Sequence, residues 1–341
     1  MKTEAFIFTG PGEVELGSVE LPEPTHEDIL IDTEVSGISV GTERWAYLGK
    51  RSELRFPNVP GYMGVGTIRE AGHSALERGW KKGQRVYFFK SRFEGELNTA
   101  SWMGSHVSQA VLNVCGKRGT GAANIHYLEH VPDGVRPEDA ALAGLCGVAM
   151  RGIEMAVVPV GAQVLVCGLG VIGQYALQVC QLKGAVVTAT DVVESRLDVA
   201  RKLGAAHVIH GVKESLAGRS RETVPDGYDI IIDTSSVAAV VNSLFPLLKL
   251  HGKFVFQGWY PPPTALDLNA MHLRMPSAYF PCAHSAEAVE TALTWTARGF
   301  LQSTPLITHT FRPQQVKELY SMIAAGSDNF LGILVDWRNA P

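Results

Sequence analysis

Ten residues, Val164-Leu-Val-Cys-Gly168-Leu-Gly170-Val171-Ile172-Gly173, restrict the fold of this chain more than any others. An apolar run reads as a buried strand, ends in G-x-G-x-x-G and passes directly into helix-length sequence. Each glycine answers a separate need: Gly168 makes the tight turn, Gly170 lets a pyrophosphate approach the backbone, and Gly173 lets helix pack closely on strand. Phosphates then lie at a helix N-terminus, where unpaired N–H groups and the helix dipole favour negative charge. Asp191 stands 18 residues beyond Gly173, at the end of the next apolar run. A carboxylate there accepts from the adenosine ribose hydroxyls and repels a 2′-phosphate, selecting NAD(H) over NADP(H); its other reading is a cap on the helix that follows. Val171, Ile172 and Arg196 complete the expected cofactor-binding set. Asp229 and Asp233 bracket a later strand and read as a strand-end cap and a turn residue.

The pattern around this loop is regular. Predicted strands at Gln163–Cys167, Ala185–Thr190, His207–Ile209, Tyr228–Asp233 and Lys253–Gln257 alternate with predicted helices at Val171–Lys183, Glu194–Leu203 and Val237–Leu250. Such alternation gives a parallel sheet with helices on both faces. The first 150 residues differ, with short β-runs broken by Pro11-Gly12, Pro22, Pro24 and Pro57-Asn-Val-Pro60-Gly61. A helix at Ala286–Ala297 and a last strand at Leu331–Asp336 follow the α/β region. The expected organisation is a β-rich lobe over 1–150, a dinucleotide-binding domain over 151–284, and a segment over 285–341 that returns to the first lobe.

Composition excludes several classes. The 341 residues are 46% apolar and 19% charged, which suits a globular chain rather than a disordered one. With 30 Lys+Arg against 34 Asp+Glu and no basic stripe, neither nucleic acid nor a membrane surface is the expected partner. No apolar stretch is long enough to span a bilayer and the N-terminus has no leader pattern, so no membrane insertion and a cytoplasmic location are expected. Cys115, Cys146, Cys167, Cys180 and Cys282 are odd in number and never at C-x-x-C spacing, so they read as core thiols rather than disulfides or zinc ligands.

Three further stretches, Gly37-Ile-Ser-Val-Gly-Thr42-Glu43, Pro60-Gly61-Tyr62-Met-Gly-Val-Gly66 and Glu194-Ser-Arg-Leu-Asp-Val-Ala-Arg-Lys-Leu-Gly-Ala, resemble the medium-chain dehydrogenase/reductase family when taken with the glycine loop. The resemblance implies a GroES-like β-rich catalytic lobe that carries a small-molecule substrate, plus a Rossmann doubly wound parallel sheet that carries the nicotinamide. It also implies a homodimer. The departures matter as much. The cysteine that binds catalytic zinc in the family's alcohol dehydrogenases is matched by Val40, the histidine ligand by Tyr62, and the third ligand position falls near Gly144, with Cys146 close by. Valine has no donor atom, so no zinc is expected. The pairing of the first two motifs resembles a zinc-free branch that includes the 3-hydroxyethyl bacteriochlorophyllide dehydrogenase.

Without a metal, some other group must meet the carbinol oxygen and carry its proton. Thr42 matches the family's proton-relay position. Tyr62 has two readings, a phenol that donates to the substrate oxygen or a ring that fills the vacated metal pocket. Glu43, beside the relay, is expected to pair with Arg44 or to hold a relay water. Trp45 and Tyr47 are candidate aromatic walls of a substrate pocket, Cys146 a thiol beside the nicotinamide, and His106, His126 and His309 alternative proton donors. The expected reaction is hydride transfer between a secondary alcohol and a ketone, on a bulky secondary-metabolite or tetrapyrrole-like substrate. Reduction of an activated C=C bond, as in ene and quinone reductases, and a non-catalytic dinucleotide sensor are the alternatives.

Overall fold

The computed structural model describes residues 1–94, 103–114, 128–260, 263–326 and 329–338. Trp102, Cys115 and His126 lie outside the described residues, as does most of the 99–125 stretch. The chain divides into two compact units. One comprises Met1–Gly144, Ser285–Gly299 and Ser303–Pro341; the other comprises Leu145–His284 and Phe300–Gln302. The first boundary therefore falls within a helix, six residues before the expected one, and the C-terminal segment returns to the first unit.

In chain order the first unit runs β1 (Lys2–Gly10), β2 (Glu13–Glu20), β3 (Asp28–Ile38), α1 (Val40–Tyr47), β4 (Gly64–Ala71), α2 (His73–Glu77), β5 (Arg85–Phe88), β6 (Gln109–Asn113), β7 (Leu128–His130) and α3 (Pro137–Ala140). Helix α4 (Ala143–Ala156) leads into β8 (Gln163–Cys167), α5 (Val171–Leu182), β9 (Val186–Asp191), α6 (Glu194–Lys202), β10 (His207–His210), α7 (Leu216–Thr223), β11 (Tyr228–Asp233), α8 (Ala238–Leu244), β12 (Leu248–Phe256), α9 (Leu268–His272) and β13 (Ser277–Tyr279). The chain closes with α10 (Ala286–Ala297), β14 (Ile307–Phe311), α11 (Val316–Ala325) and β15 (Gly332–Asp336).

The first unit is the GroES-like lobe. Its mixed sheet has the order β14-β15-β3-β4-β5-β7, with β6 also paired to β3, and β1 and β2 form a separate antiparallel hairpin. Strand β3 is the organiser, because β4, β6 and β15 all pair with it. Most of its residues are buried, including the polar Asp28, Thr33 and Ser36 alongside Ile29, Leu30, Ile31, Val35 and Ile38. Against this sheet packs an aromatic core in which Phe6, Phe8, Tyr47, Tyr320 and Trp337 meet mostly edge-on or tilted. The chain leaves β3 at Ile38 and enters α1 one residue later, so the start of α1 hangs from the most heavily paired strand of the lobe.

The second unit is the Rossmann domain, a parallel sheet in the order β10-β9-β8-β11-β12-β13. From β8 the chain moves outward through β9 and β10, then crosses back to β11 and continues to the opposite edge. The order reverses between β8 and β11, and ligands of such sheets bind at the carboxyl ends of the strands flanking that reversal. The glycine loop leaves β8 there.

One predicted element is corrected. The helix expected over Val237–Leu250 is only α8, followed by a 3₁₀ turn at Phe245–Leu247, and β12 begins at Leu248 instead of Lys253. Pro246 lacks the N–H that a continuing helix needs, so the chain passes through the 3₁₀ turn and is extended by Leu248. His251, at φ 60°, then bends β12, so Leu248 and Lys253 pair with β11 on either side of a register shift. Among the described residues no helix is long and apolar enough to cross a membrane.

Central strand β11 carries Ile231 with no exposed surface, packed in the cluster of Leu165, Tyr228, Phe254 and Phe256. Ile231→Ala is expected to destabilise the protein by about 2–5 kcal/mol, read as a lower urea midpoint with an unchanged slope.

Candidate active site

In the first unit the side chains at the start of α1 meet a buried polar cluster. Glu43 and His106 have no exposed surface. One Glu43 oxygen, Oε1, accepts the Ser39 N–H at 2.8 Å; the other, Oε2, accepts the Tyr320 hydroxyl at 2.6 Å and lies 3.0 Å from His106 Nε2. His106 Nδ1 is 2.8 Å from Ser36 Oγ, which accepts the Trp337 indole N–H at 2.8 Å. The indole can only donate, so the serine proton is free to point at Nδ1, and His106 then donates from Nε2 to Glu43.

Tyr62 lies beside this cluster. Its hydroxyl donates to Ser39 Oγ at 2.7 Å, and the Thr42 side chain hydrogen-bonds the same phenol. Burial pushes the phenol up to about 12, helped by the Glu43 charge and opposed by the two hydroxyls and by Arg51. Below that value the proton stays on oxygen, so Tyr62 is a donor across the neutral range. Its backbone carbonyl accepts the Tyr87 hydroxyl at 3.2 Å, and its ring tilts against Phe89 with centroids 5.8 Å apart.

Several expectations change. Glu43 does not pair with Arg44, whose guanidinium donates instead to the Ala324 carbonyl at 3.0 Å, near the C-terminal end of α11. His106 is a fixed partner of Glu43 and not a freely accessible proton donor. Tyr47 is a core residue: its hydroxyl donates to the Gly12 carbonyl and its ring packs on Phe8 and Tyr320, because the aromatic core closes over this face of α1. Trp45 is half-buried, with the Lys50 ammonium 5.6 Å above its ring. Cys146 is fully buried in α4, and burial pushes its thiol well above the usual range, which leaves no reactive thiolate. His309 lies on the strand β14 beside Thr308 and Phe311, outside the cluster. Sequence reading missed Ser36, Ser39, Tyr320 and Trp337. Ser39 had a signal, since it lies inside the Gly37–Glu43 motif; the others are gathered only by folding.

At the matched zinc-ligand positions this chain carries Val40, Tyr62 and Gly144. Val40 offers hydrocarbon and Gly144 has no side chain. Among the described residues no group of three or more His, Cys, Asp or Glu side chains converges.

In the second unit the three glycines have distinct surroundings. Gly168 has φ 87°, and a Cβ there would lie 2.8 Å from Ser235 N and Thr234 Oγ1. A Cβ on Gly173 would lie 1.9 Å from the Gly168 carbonyl oxygen, whereas one on Gly170 would meet nothing within 4 Å. Gly170 thus leaves open space at the N-terminus of α5, the cradle a pyrophosphate requires. Thr234 braces the loop from β11, donating to the Gly168 carbonyl at 2.7 Å. Asp191 is 8% exposed and accepts three backbone N–H groups: Leu169 at 2.6 Å, Val192 at 2.7 Å and Val193 at 2.9 Å. Arg196 lies 3.9 Å from it. The carboxylate therefore ties the glycine loop to the end of β9 and retains a lone pair for a ribose hydroxyl. Asp229 accepts the Gln163 N–H and the Lys249 ammonium, and Asp233 caps the turn at Ser235 and Ser236 and accepts from Tyr260.

Known proteins share the fold. Residues 171–298 match the family described as zinc-binding dehydrogenase. Over 352 aligned residues, covering 99% of this chain and 100% of the relative, the protein is 24% identical to the L-threonine 3-dehydrogenase of Vibrio cholerae. Among solved structures, ECK1772 of Escherichia coli, an oxidoreductase/dehydrogenase of unknown specificity, superimposes with a TM-score of 0.85 at 21% identity, covering 98% of this chain and 99% of that one. A zinc-binding dehydrogenase of Sinorhizobium meliloti bound to NADP does so with a TM-score of 0.82 at 19% identity, with the same coverage.

Gly173→Ala is expected to destabilise the protein by about 1–3 kcal/mol, because its clash is with backbone, while Gly170→Ala leaves the urea midpoint unchanged. Denaturant titration of both variants checks this. Over nearly its full length, and most clearly in the matched dehydrogenase segment, the chain is similar to zinc-type alcohol dehydrogenase-like proteins.

Proposed function

We propose that the protein is a zinc-independent, NAD(H)-dependent oxidoreductase that interconverts a secondary alcohol and a ketone. The observation that carries this reading is the Tyr62 phenol, held protonated where the family's zinc-binding histidine would stand and hydrogen-bonded to the Ser39 and Thr42 hydroxyls. Gly168, Gly170, Val171, Ile172 and Gly173 would hold the pyrophosphate on the loop and the first turn of α5, with Asp191 and Arg196 toward the adenosine ribose. The nicotinamide, when bound, accepts or delivers the hydride.

The chain's own residues handle the oxygen. In the reducing direction Tyr62 donates a hydrogen bond to the carbonyl oxygen, stabilising the charge that develops as the carbonyl becomes an alkoxide. Thr42 passes the proton that the alkoxide takes up, and in the reverse direction carries it away. Glu43 supports both from beneath through the Ser39 backbone. A phenol is a weaker and more directional electrophile than a metal ion, so the substrate oxygen has to be placed well. The bulky apolar substrate class rests on the resemblance of the two lobe motifs, with Trp45 as an aromatic wall.

In the same reading the protein is cytoplasmic and a homodimer joined at the β13 edge of the Rossmann sheet. That edge strand is short, and Phe280 beside it is 66% exposed while stacked on Phe256.

The test is NADH and NADPH titration of metal-analysed protein, followed by a panel of ketones and enones with deuterated NADH and product analysis. The expected outcome is carbonyl reduction, with NADH bound more tightly than NADPH and no dependence on zinc. Tyr62→Phe is expected to lower kcat by about 100-fold, with NADH affinity unchanged. Deuterium found at carbon β to a carbonyl would move the assignment to C=C reduction, and tight NADH binding without turnover would move it to a sensor.

A further inference from the structure

Ser39 occupies the N-cap position of α1, where a serine hydroxyl ordinarily accepts from the N–H groups of the first turn. Here it makes no such bond. The hydroxyl is instead turned to Tyr62, 2.7 Å from the phenol oxygen. Glu43, from within α1, reaches back to the Ser39 N–H, as the acidic partner of a capping box does, although one position further along the helix. The serine is therefore held by its backbone while its side chain is left for the phenol.

What holds Glu43 is equally specific. Its carboxylate, without solvent, receives three donors: the Ser39 N–H, the Tyr320 hydroxyl and His106. His106 is oriented in turn by Ser36 and Trp337. These groups come from β3, the segment before β6, α11 and the residue after β15, so the start of α1 is fixed against four other parts of the lobe. The groups that face the phenol are Ser39, Thr42 and Glu43 from this helix and its cap, and Arg51 from the loop beyond it; Tyr87 and Phe89 of the neighbouring strand meet the carbonyl and the ring of the same residue.

We propose that Ser39 is the positioning residue for the Tyr62 phenol, and that the buried Glu43–His106 pair holds Ser39 in place; this rests on the alcohol–ketone reading above. Two hydroxyls at this separation can exchange donor and acceptor roles. When the Tyr62 O–H turns to a substrate oxygen, the Ser39 O–H turns to donate into the phenol oxygen. No proton is gained or lost in that exchange, and the phenol becomes the better donor because its own oxygen is hydrogen-bonded.

The experiment places 3,5-difluorotyrosine at position 62, so that its ionisation is followed by ultraviolet absorbance within a workable pH range. Wild type, Ser39→Ala, Ser39→Thr and Glu43→Gln are compared in this background, and kcat and KM are measured for the same four proteins with natural tyrosine. Removing the Ser39 hydroxyl takes a stabilising partner from the phenolate, so the Ser39→Ala ionisation moves up. Removing the Glu43 charge moves it down. Kcat is expected to fall about tenfold in Ser39→Ala, with KM unchanged, and to recover in Ser39→Thr. Ionisation that is the same in all four proteins, or a loss in Ser39→Ala confined to thermal stability, overturns the proposal. If the wild type reduces no carbonyl compound yet the two ionisations still move in opposite directions, the positioning stands and the reaction assignment falls.

Discussion

Glu43 carries its carboxylate inside the first unit with no contact to water, and a charge in that position persists only if donors surround it. The lobe supplies them from residues up to 277 positions away in the chain, so the interaction closes the fold as well as the site. Strand β3 brings Ser36 and leads into Ser39; α11 brings Tyr320; the stretch before β6 brings His106. Remove the carboxylate and Ser39, Tyr320 and His106 each lose the acceptor that sets their direction. The same charge keeps the neighbouring phenols protonated, since both Tyr62 and Tyr320 are driven upward first by burial and then by Glu43. Structure and chemistry here are one set of contacts.

The second unit is built on space rather than charge. Helix α5 can approach β8 only because Gly173 has no side chain to strike the Gly168 carbonyl, and the vacancy at Gly170 follows from that approach. Thr234 and Asp191 hold the loop from two neighbouring strands. The central residues of β8 (Val164, Leu165, Val166) and β11 (Ile230, Ile231, Ile232) are buried aliphatics, as strands covered on both faces require.

Much of this was readable in the chain. Strands β8 and β11 and helix α10 coincide with the predicted spans, since each is a strongly patterned run bounded by turn residues. Helices α1 and α4 were not anticipated, because glycines at 41, 144, 147 and 152 obscure their periodicity. The error at 237–250 came from reading an apolar run through Pro246 as one helix. In the site, Thr42, Glu43 and Tyr62 share a short stretch of sequence or motif and could be named in advance. Tyr320 and Trp337 could not, because a buried aromatic reads as core whether or not its polar tip has a partner. Of the two expectations for Glu43, the pairing with Arg44 does not occur: Arg44 is its neighbour in sequence, but successive helical residues point in different directions.

Asp191 has a consequence for how the specificity of such a protein can change. In the usual picture the acidic residue at the end of the second strand is a detachable selector, exchanged for a neutral or basic side chain when a phosphorylated ribose must be admitted. Here the same carboxylate is a structural tether, engaged by Leu169 inside the loop and by Val192 and Val193 behind it. Under the NAD(H) reading proposed above, selectivity and loop shape are a single trait, and evolution or engineering toward the other dinucleotide would have to supply a new anchor for Leu169 in the same step.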